Sequence, residues 1–240
     1  MILAIDAGNT RVKWGLHDGE GWSARGGVLN AELVHLAEAW RSLPVPERIV
    51  VSNVAGQKVR SELAVLLSHW HRDPIWVVAR SRECGVTNRY QVPSQLGSDR
   101  WASAIAARHI HPGPCLVASV GTAMTVDVLG AEGDFLGGIV VAGPELMLEA
   151  LVLKTAGVRG HKGQFQWIPT NTADAVHSGA MQALTGAIER MYRHVEKIQA
   201  VQPMCILCGG GASLLQPLLA MPLRVEENLV LEGLIRIARQ

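Results

Sequence analysis

A chain of 240 residues, 48% apolar and 18% charged, is long enough to bury a large core and has no stretch polar enough for disorder. Its 22 basic and 21 acidic residues leave a formal charge of +1, which excludes an electrostatic case for nucleic acid or a membrane surface as the main partner. No apolar run reaches the roughly 20 residues needed to span a bilayer, and Asp6 interrupts the apolar N-terminal run, so no targeting segment is expected and the cytoplasm is the expected location.

The run Met1 to Ile5 has the length and branching of a buried strand, and it ends in Asp6-Ala7-Gly8-Asn9-Thr10-Arg11-Val12-Lys13. This loop holds an acid, a glycine that lets backbone approach a ligand, and Asn9, Thr10 and Lys13 as donors to phosphate oxygens. On its own it reads equally as a hairpin turn with Gly8 at positive φ. Val12 to Leu16 alternates as a second strand, and His17 to Gly21 turns into a third. Leu33, Leu36, Ala37 and Trp40 share a helical face that Pro44 and Pro46 end. Arg48 to Val54 reads as a strand, Val59 to Trp70 as a helix, and Ile75 to Ala79 as a strand. Cys84 to Gln95 is irregular and contains Tyr90 and Pro93. Gly97 then feeds Ser98, Asp99 and Arg100 into the first turn of a helix, where a carboxylate can cap amides or act as a general base.

His111-Pro112-Gly113-Pro114 is the strongest punctuation in the chain, and it divides the expected domains, 1–113 and 114–240. Cys115 to Val120 is a strand ending in Gly121-Thr122-Ala123-Met124-Thr125, a second small-residue loop. A hairpin follows through Val126 to Leu129 and Phe135 to Ala142. Gly143-Pro144 starts a helix reaching Lys154, Gly157 to Pro169 reads as a polar loop, and Asn171-Thr172 caps a long helix from about Ala173 to Ile198. Met204 to Cys208 is a strand ending in Gly209-Gly210-Gly211, where bare backbone could lie against a flat ligand. A short strand, Leu223 to Val225, and an apolar helix from near Leu229 close the chain. The architecture, not the residues, is therefore repeated: strand, small-residue loop, meander, helices. Cys205 and Cys208 have redox or zinc spacing but sit in an apolar strand with no second ligand pair. With Cys84 and Cys115 they read as buried thiols, too few and scattered for a disulfide framework.

Three small-residue loops, each directly after a strand, resemble the first phosphate, second phosphate and adenosine motifs of the acetate kinase, sugar kinase, Hsp70 and actin superfamily. The fold class this resemblance implies is α/β, with two ribonuclease H-like domains, each a mixed sheet flanked by helices, and an ATP cleft between them. Neither a Walker A loop nor a Gly-x-Gly-x-x-Gly after a strand is present. A closer resemblance is carried by Asp6 to Thr10, Tyr90-x-x-Pro93, Gly97 to Arg100, Gly121 to Ala123, Gly137-Gly138-Ile139 with Gly143-Pro144, Asn171-Thr172 with Gly179, and Asn228 to Leu234. These pieces, in order, look like the type III pantothenate kinases, a family that includes the Bvg accessory factor proteins.

The resemblance implies ATP-dependent phosphorylation of the primary hydroxyl of pantothenate to 4'-phosphopantothenate, the first step toward coenzyme A. It makes Asp99 the general base, across the cleft from the first loop. It assigns Asp6 to magnesium, and Asp6, Ala7, Gly8, Asn9, Thr10, Arg11, Val12, Lys13, Thr122 and Gly210 to ATP. Tyr90, Gly97, Ser98, Asp99, Arg100 and Thr172 would shape the pantothenate pocket. It also implies a homodimer. Many members place an aspartate three residues before the threonine of the Gly-Thr-Ala loop to bind potassium or ammonium; here that residue is Ser119, a poorer cation ligand, which argues against monovalent-cation activation. Two rival readings are a non-catalytic accessory protein on the same fold, which the presence of Asp6, Asp99 and Arg100 opposes, and a kinase or phosphatase of the same superfamily acting on another substrate.

Overall fold

The computed structural model describes residues 1–155 and 163–240, so part of the polar loop expected over Gly157 to Pro169 lies outside the described residues. In chain order the elements are β1 (Ile2–Ala7), β2 (Arg11–His17), β3 (Trp22–Leu29), α1 (His35–Trp40), β4 (Arg48–Asn53), α2 (Gly56–Leu67), β5 (Ile75–Trp76), β6 (Arg82–Glu83), β7 (Val86–Asn88) and α3 (Ser98–Ile110). They continue with β8 (Cys115–Val120), β9 (Ala123–Leu129), β10 (Asp134–Ala142), α4 (Pro144–Lys154), α5 (Thr172–Gln199), β11 (Met204–Cys208), α6 (Ala212–Leu215), β12 (Leu223–Glu226) and α7 (Leu229–Ala238). Among the described residues no helix is long and apolar enough to cross a membrane.

The chain forms two compact units: Met1–Ile110 with Asn228–Gln240, and His111–Glu227. Residues 228–240, grouped by sequence with the second half, thus pack in the first unit. The reason lies in α7, whose apolar residues Leu229, Leu231, Leu234, Ile235 and Ala238 are buried against α3, β1 and β4. Gly233 lets this helix touch α3, since a Cβ there would stand 1.9 Å from the Ala102 carbonyl oxygen.

In the first unit β1 pairs antiparallel with β2 and parallel with β4, β2 pairs with β3, and β4 pairs with β5. The order is β3-β2-β1-β4-β5. In the second unit β8 pairs antiparallel with β9 and parallel with β11, and β10 and β12 extend the two sides. Its order, β10-β9-β8-β11-β12, repeats the first, so the duplication read from the strand pattern is present in the sheets.

Side-chain alternation along β1 sets the two faces of the first sheet. Leu3, Ile5 and Ala7 join Val12, Trp14, Leu16, Ile49 and Val51 under α1 and α2, around the fully buried Trp40. The Trp40 ring packs edge-on to Trp14, with centroids 6.2 Å apart, and against Trp70 at 5.4 Å. Asp6, one residue out of phase with this core, turns to the opposite face.

Candidate active site

Register brings three polar residues into one row across the first sheet: Lys13 and Ser52 both stand opposite Asp6. From this row the hydroxyl of Ser52 meets that of Ser98 at 2.9 Å, and the Asn53 backbone N–H donates to Ser98 Oγ at 3.2 Å. Ser98 is the first residue of α3, so these bonds moor the start of that helix to the end of β4 and bring Asp99 to the row. Asp99 Oδ1 accepts the Arg100 backbone N–H at 2.8 Å. Gly97 makes room for it, because a Cβ at that position would lie 2.7 Å from Asp99 Oδ1.

Asp6 feels the charge of Asp99. Burial first, and then the charge of Asp99, push the Asp6 carboxyl up to about 7, against a smaller pull downward from Lys13. Burial likewise raises Asp99, opposed by its bond to the Arg100 amide and by the Arg100 charge. Asp99 lies in the same unit as Asp6, as the expected domain 1–113 had it, and its charge reaches the Asp6 carboxyl.

Arg100 reaches the other way. Its guanidinium donates to the Tyr90 hydroxyl at 3.0 Å, with the guanidinium carbon 5.8 Å from the ring centroid. The turn carrying Tyr90 is held by Asn88, which the sequence reading passed over. Asn88 Oδ1 accepts the Tyr90 N–H at 3.0 Å, its Nδ2 donates to the Pro93 carbonyl at 3.2 Å, and its own N–H donates to Ser81. An asparagine two residues before the tyrosine in an irregular stretch was the available signal, since such side chains cap their own turns.

The first loop, Gly8 to Thr10, joins β1 to β2 with Gly8 N–H donating to the Arg11 carbonyl at 3.1 Å. The loop is a β-hairpin turn, as one of the two sequence readings had it, but Gly8 is not among the glycines at positive φ. Asn9, Thr10 and Arg11 are exposed, while Ala7 is buried and Val12 joins the core.

In the second unit, β8 and β11 lie side by side, so the loops at their ends are neighbours. The second loop is shorter than expected, because Ala123 already belongs to β9. That leaves Gly121 and Thr122, both exposed. Of the three glycines after β11, two serve the protein's own packing: a Cβ at Gly209 or Gly211 would meet Val120 at 2.4 or 2.7 Å. Only Gly210 faces open space, which singles it out as the glycine a ligand could approach. Thr172 opens α5 and is exposed. The cap is Asn171, whose Oδ1 accepts the Asp174 N–H at 3.0 Å.

Cation chemistry can be read from the carboxylates. Asp6 Oδ1 is buried without a hydrogen-bond partner, and its ionisation is opposed by burial and by a second acid. A bound cation would relieve both. Among the described residues no group of three or more His, Cys, Asp or Glu is gathered, so the ion would take most of its shell from water and phosphate oxygens, which is the habit of magnesium.

The sequence pattern that defines the type III pantothenate kinases matches residues 2–194. A protein from Nitrosospira multiformis named type III pantothenate kinase is 47% identical over 240 residues, spanning 100% of this chain and 92% of its own. Another of that name from Aromatoleum aromaticum is 45% identical, spanning 100% of this chain and 98% of its own. The chain belongs to the type III pantothenate kinase family. Solved structures share its fold. A Campylobacter jejuni protein provisionally described as a Baf family transcriptional activator superposes with a TM-score of 0.62 at 18% identity, covering 99% of this chain and 97% of its own. Component A of the Acidaminococcus fermentans (R)-2-hydroxyglutaryl-CoA dehydratase does so at 0.58 and 13% identity, covering 99% and 95%. At these identities the likeness is one of fold alone.

Proposed function

We propose that this member of the type III pantothenate kinases transfers the γ-phosphoryl group of ATP to the primary hydroxyl of pantothenate, yielding 4'-phosphopantothenate and ADP in the cytoplasm. The observation that carries the reading is the convergence of two carboxyls at one end of the first sheet: Asp6 beside Ser52 in the sheet row, and Asp99 next to Ser98, which bonds to Ser52 and Asn53. Phosphoryl transfer demands positioning and neutralisation of charge more than covalent help from the protein. Asp99 accepts the hydroxyl proton as the oxygen bonds to the γ-phosphorus and the bond to the β-phosphate oxygen breaks. Arg100, steadied by Tyr90, holds the pantothenate carboxylate by charge-assisted bonds, and Gly97, Ser98 and Thr172 complete that pocket. Gly8 to Arg11 and Lys13 line the phosphates, while Ala7 and Val12, buried in the core, anchor the two ends of the loop, with Thr122 and Gly210 on the nucleotide as well. Magnesium held by Asp6 would neutralise phosphate charge during transfer. The test is pantothenate-dependent ADP formation by the purified protein, and its absence refutes the reading.

Potassium should matter little. In the sheet row of Ser119 the immediate neighbours are Thr125 and Cys208, a hydroxyl and a thiol, and the carboxylate of that row, Glu226, stands two strands away from Ser119. Turnover is expected to be nearly the same in sodium and potassium; a many-fold rise in potassium would contradict this.

A homodimer accounts for α4. That helix buries only Pro144, and Leu153 is 79% exposed, with Trp167 at 72% and Ile168 at 88% in the same unit. Side chains of this size left in water mark an interaction surface. Leu153→Asp is expected to shift sedimentation from dimer to monomer, and a wild-type protein that sediments as a monomer would remove the proposal.

A further inference from the structure

Asn30, directly after β3, makes three hydrogen bonds to three successive carbonyls of the first loop. Its side-chain Nδ2 donates to Gly8 O and Asn9 O, each at 2.9 Å, and its backbone N–H donates to Thr10 O at 3.0 Å. Two carbonyl acceptors fix which end of the amide is nitrogen.

The consequence follows from peptide geometry. A trans peptide is planar, with its N–H directed opposite to its C=O, and no cis bond is present among the described residues. Holding the carbonyls of Gly8, Asn9 and Thr10 therefore turns the amides of Asn9, Thr10 and Arg11 to the far side of the loop. Successive amides aimed one way form an anion-binding concavity. The other end of the side chain, Oδ1, is buried and has no hydrogen-bond partner. Such an orphan is a standing cost to the fold, so its stability alone does not explain an asparagine here.

We infer that Asn30 is a positioning residue for the ATP phosphates: it sets the first loop so that its amides point at the phosphoryl oxygens, without itself touching the nucleotide. The inference rests on the reading of that loop as the phosphate site. It predicts a defect confined to nucleotide. Replacing Asn30 by Ala keeps the backbone bond to Thr10 but frees the other two carbonyls. Asn30→Asp keeps the shape, so a folded variant is at hand if the alanine form is unstable, and it sets a carboxylate against those carbonyls.

The experiment measures the Kd of a non-hydrolysable ATP analogue with magnesium by calorimetry, together with KM for ATP and for pantothenate. Both variants should weaken nucleotide binding and raise KM for ATP by ~10- to 100-fold, the scale of a misplaced catalytic contact, while KM for pantothenate stays near the wild-type value. Nucleotide affinity equal to wild type, or an equal rise in both KM values, would overturn the inference. A wild-type protein that binds the analogue but fails to phosphorylate pantothenate would sink the proposed function instead, and the calorimetric comparison would still decide the role of Asn30.

Discussion

Asp6→Asn is expected to end phosphoryl transfer and, in the metal-free protein, to raise the melting temperature at about pH 8. Loss of activity follows from removing the charge proposed to hold magnesium. The gain in stability follows from linkage. The Asp6 carboxyl, ordinarily near 3.8, is pushed up to about 7 in the fold, chiefly by burial. Below roughly pH 4 folded and unfolded chains both keep the proton, and the group adds no pH dependence. Between there and about pH 7 the unfolded chain has released a proton that the folded chain retains, so stability falls as pH rises. Above about 7 both are ionised and the whole penalty is present, on the order of a few kcal/mol. Although Asp6 as a residue keeps partial contact with solvent, the sealed Oδ1 keeps most of this penalty in force.

Asparagine has no charge to bury. The melting temperature of the variant should therefore exceed that of wild type by several degrees at about pH 8, at roughly 2 to 4 °C per kcal/mol for a chain of this size, and the difference should close toward pH 4. Calorimetry across pH in the presence of a chelator measures it. A variant that melts no higher than wild type at any pH would mean that the ionised Asp6 is not a burden to the fold. Retained kinase activity would separately refute its part in metal binding.

The second large effect is expected for Asp99→Asn. General base catalysis contributes roughly 10²- to 10⁴-fold, and kcat should fall by that order. Both KM values should change little, because the amide oxygen can still accept the Arg100 N–H that Asp99 accepts now. The pH profile gives a second readout. Asp99 works ionised, so rate is lost on acidification, and since burial raises its pKa the loss begins at a less acid pH than for an ordinary aspartate. Wild-type turnover by the variant would remove Asp99 from the chemistry.

What could be read from the sequence was the local part. Each of the three loops follows an apolar run that stops at an acid or a glycine, Asp6, Gly121 and Gly209, and such stops mark strand ends regardless of context. The meander before each run of helices was equally visible, and it reappears as the same order of five strands, β3-β2-β1-β4-β5 in the first sheet and β10-β9-β8-β11-β12 within the second. Asp99 was legible as an acid in a helix's first turn behind a glycine.

The unread parts depend on partners distant in the chain. Asn30 acts on carbonyls 21 and 22 residues away across a hairpin, and a lone asparagine after a strand carries no signature of that. The approach of Asp99 to Asp6 hangs on a hydroxyl pair, Ser52 with Ser98, 46 residues apart. Glycine composition misled in one place: Gly209 and Gly211 are small for the sake of Val120, and only Gly210 faces outward. The last helix follows the second half in sequence but buries its apolar face on α3 and β1, a choice of partner that periodicity does not encode.

Pantothenate-dependent formation of ADP is the most direct measurement, made on purified protein with ATP and magnesium and repeated with Asp99→Asn. The predicted result is one ADP released for each pantothenate consumed by the wild type, and a rate lower by roughly 10²-fold or more in the variant. ADP release indifferent to pantothenate, or none at all, would contradict the proposed kinase.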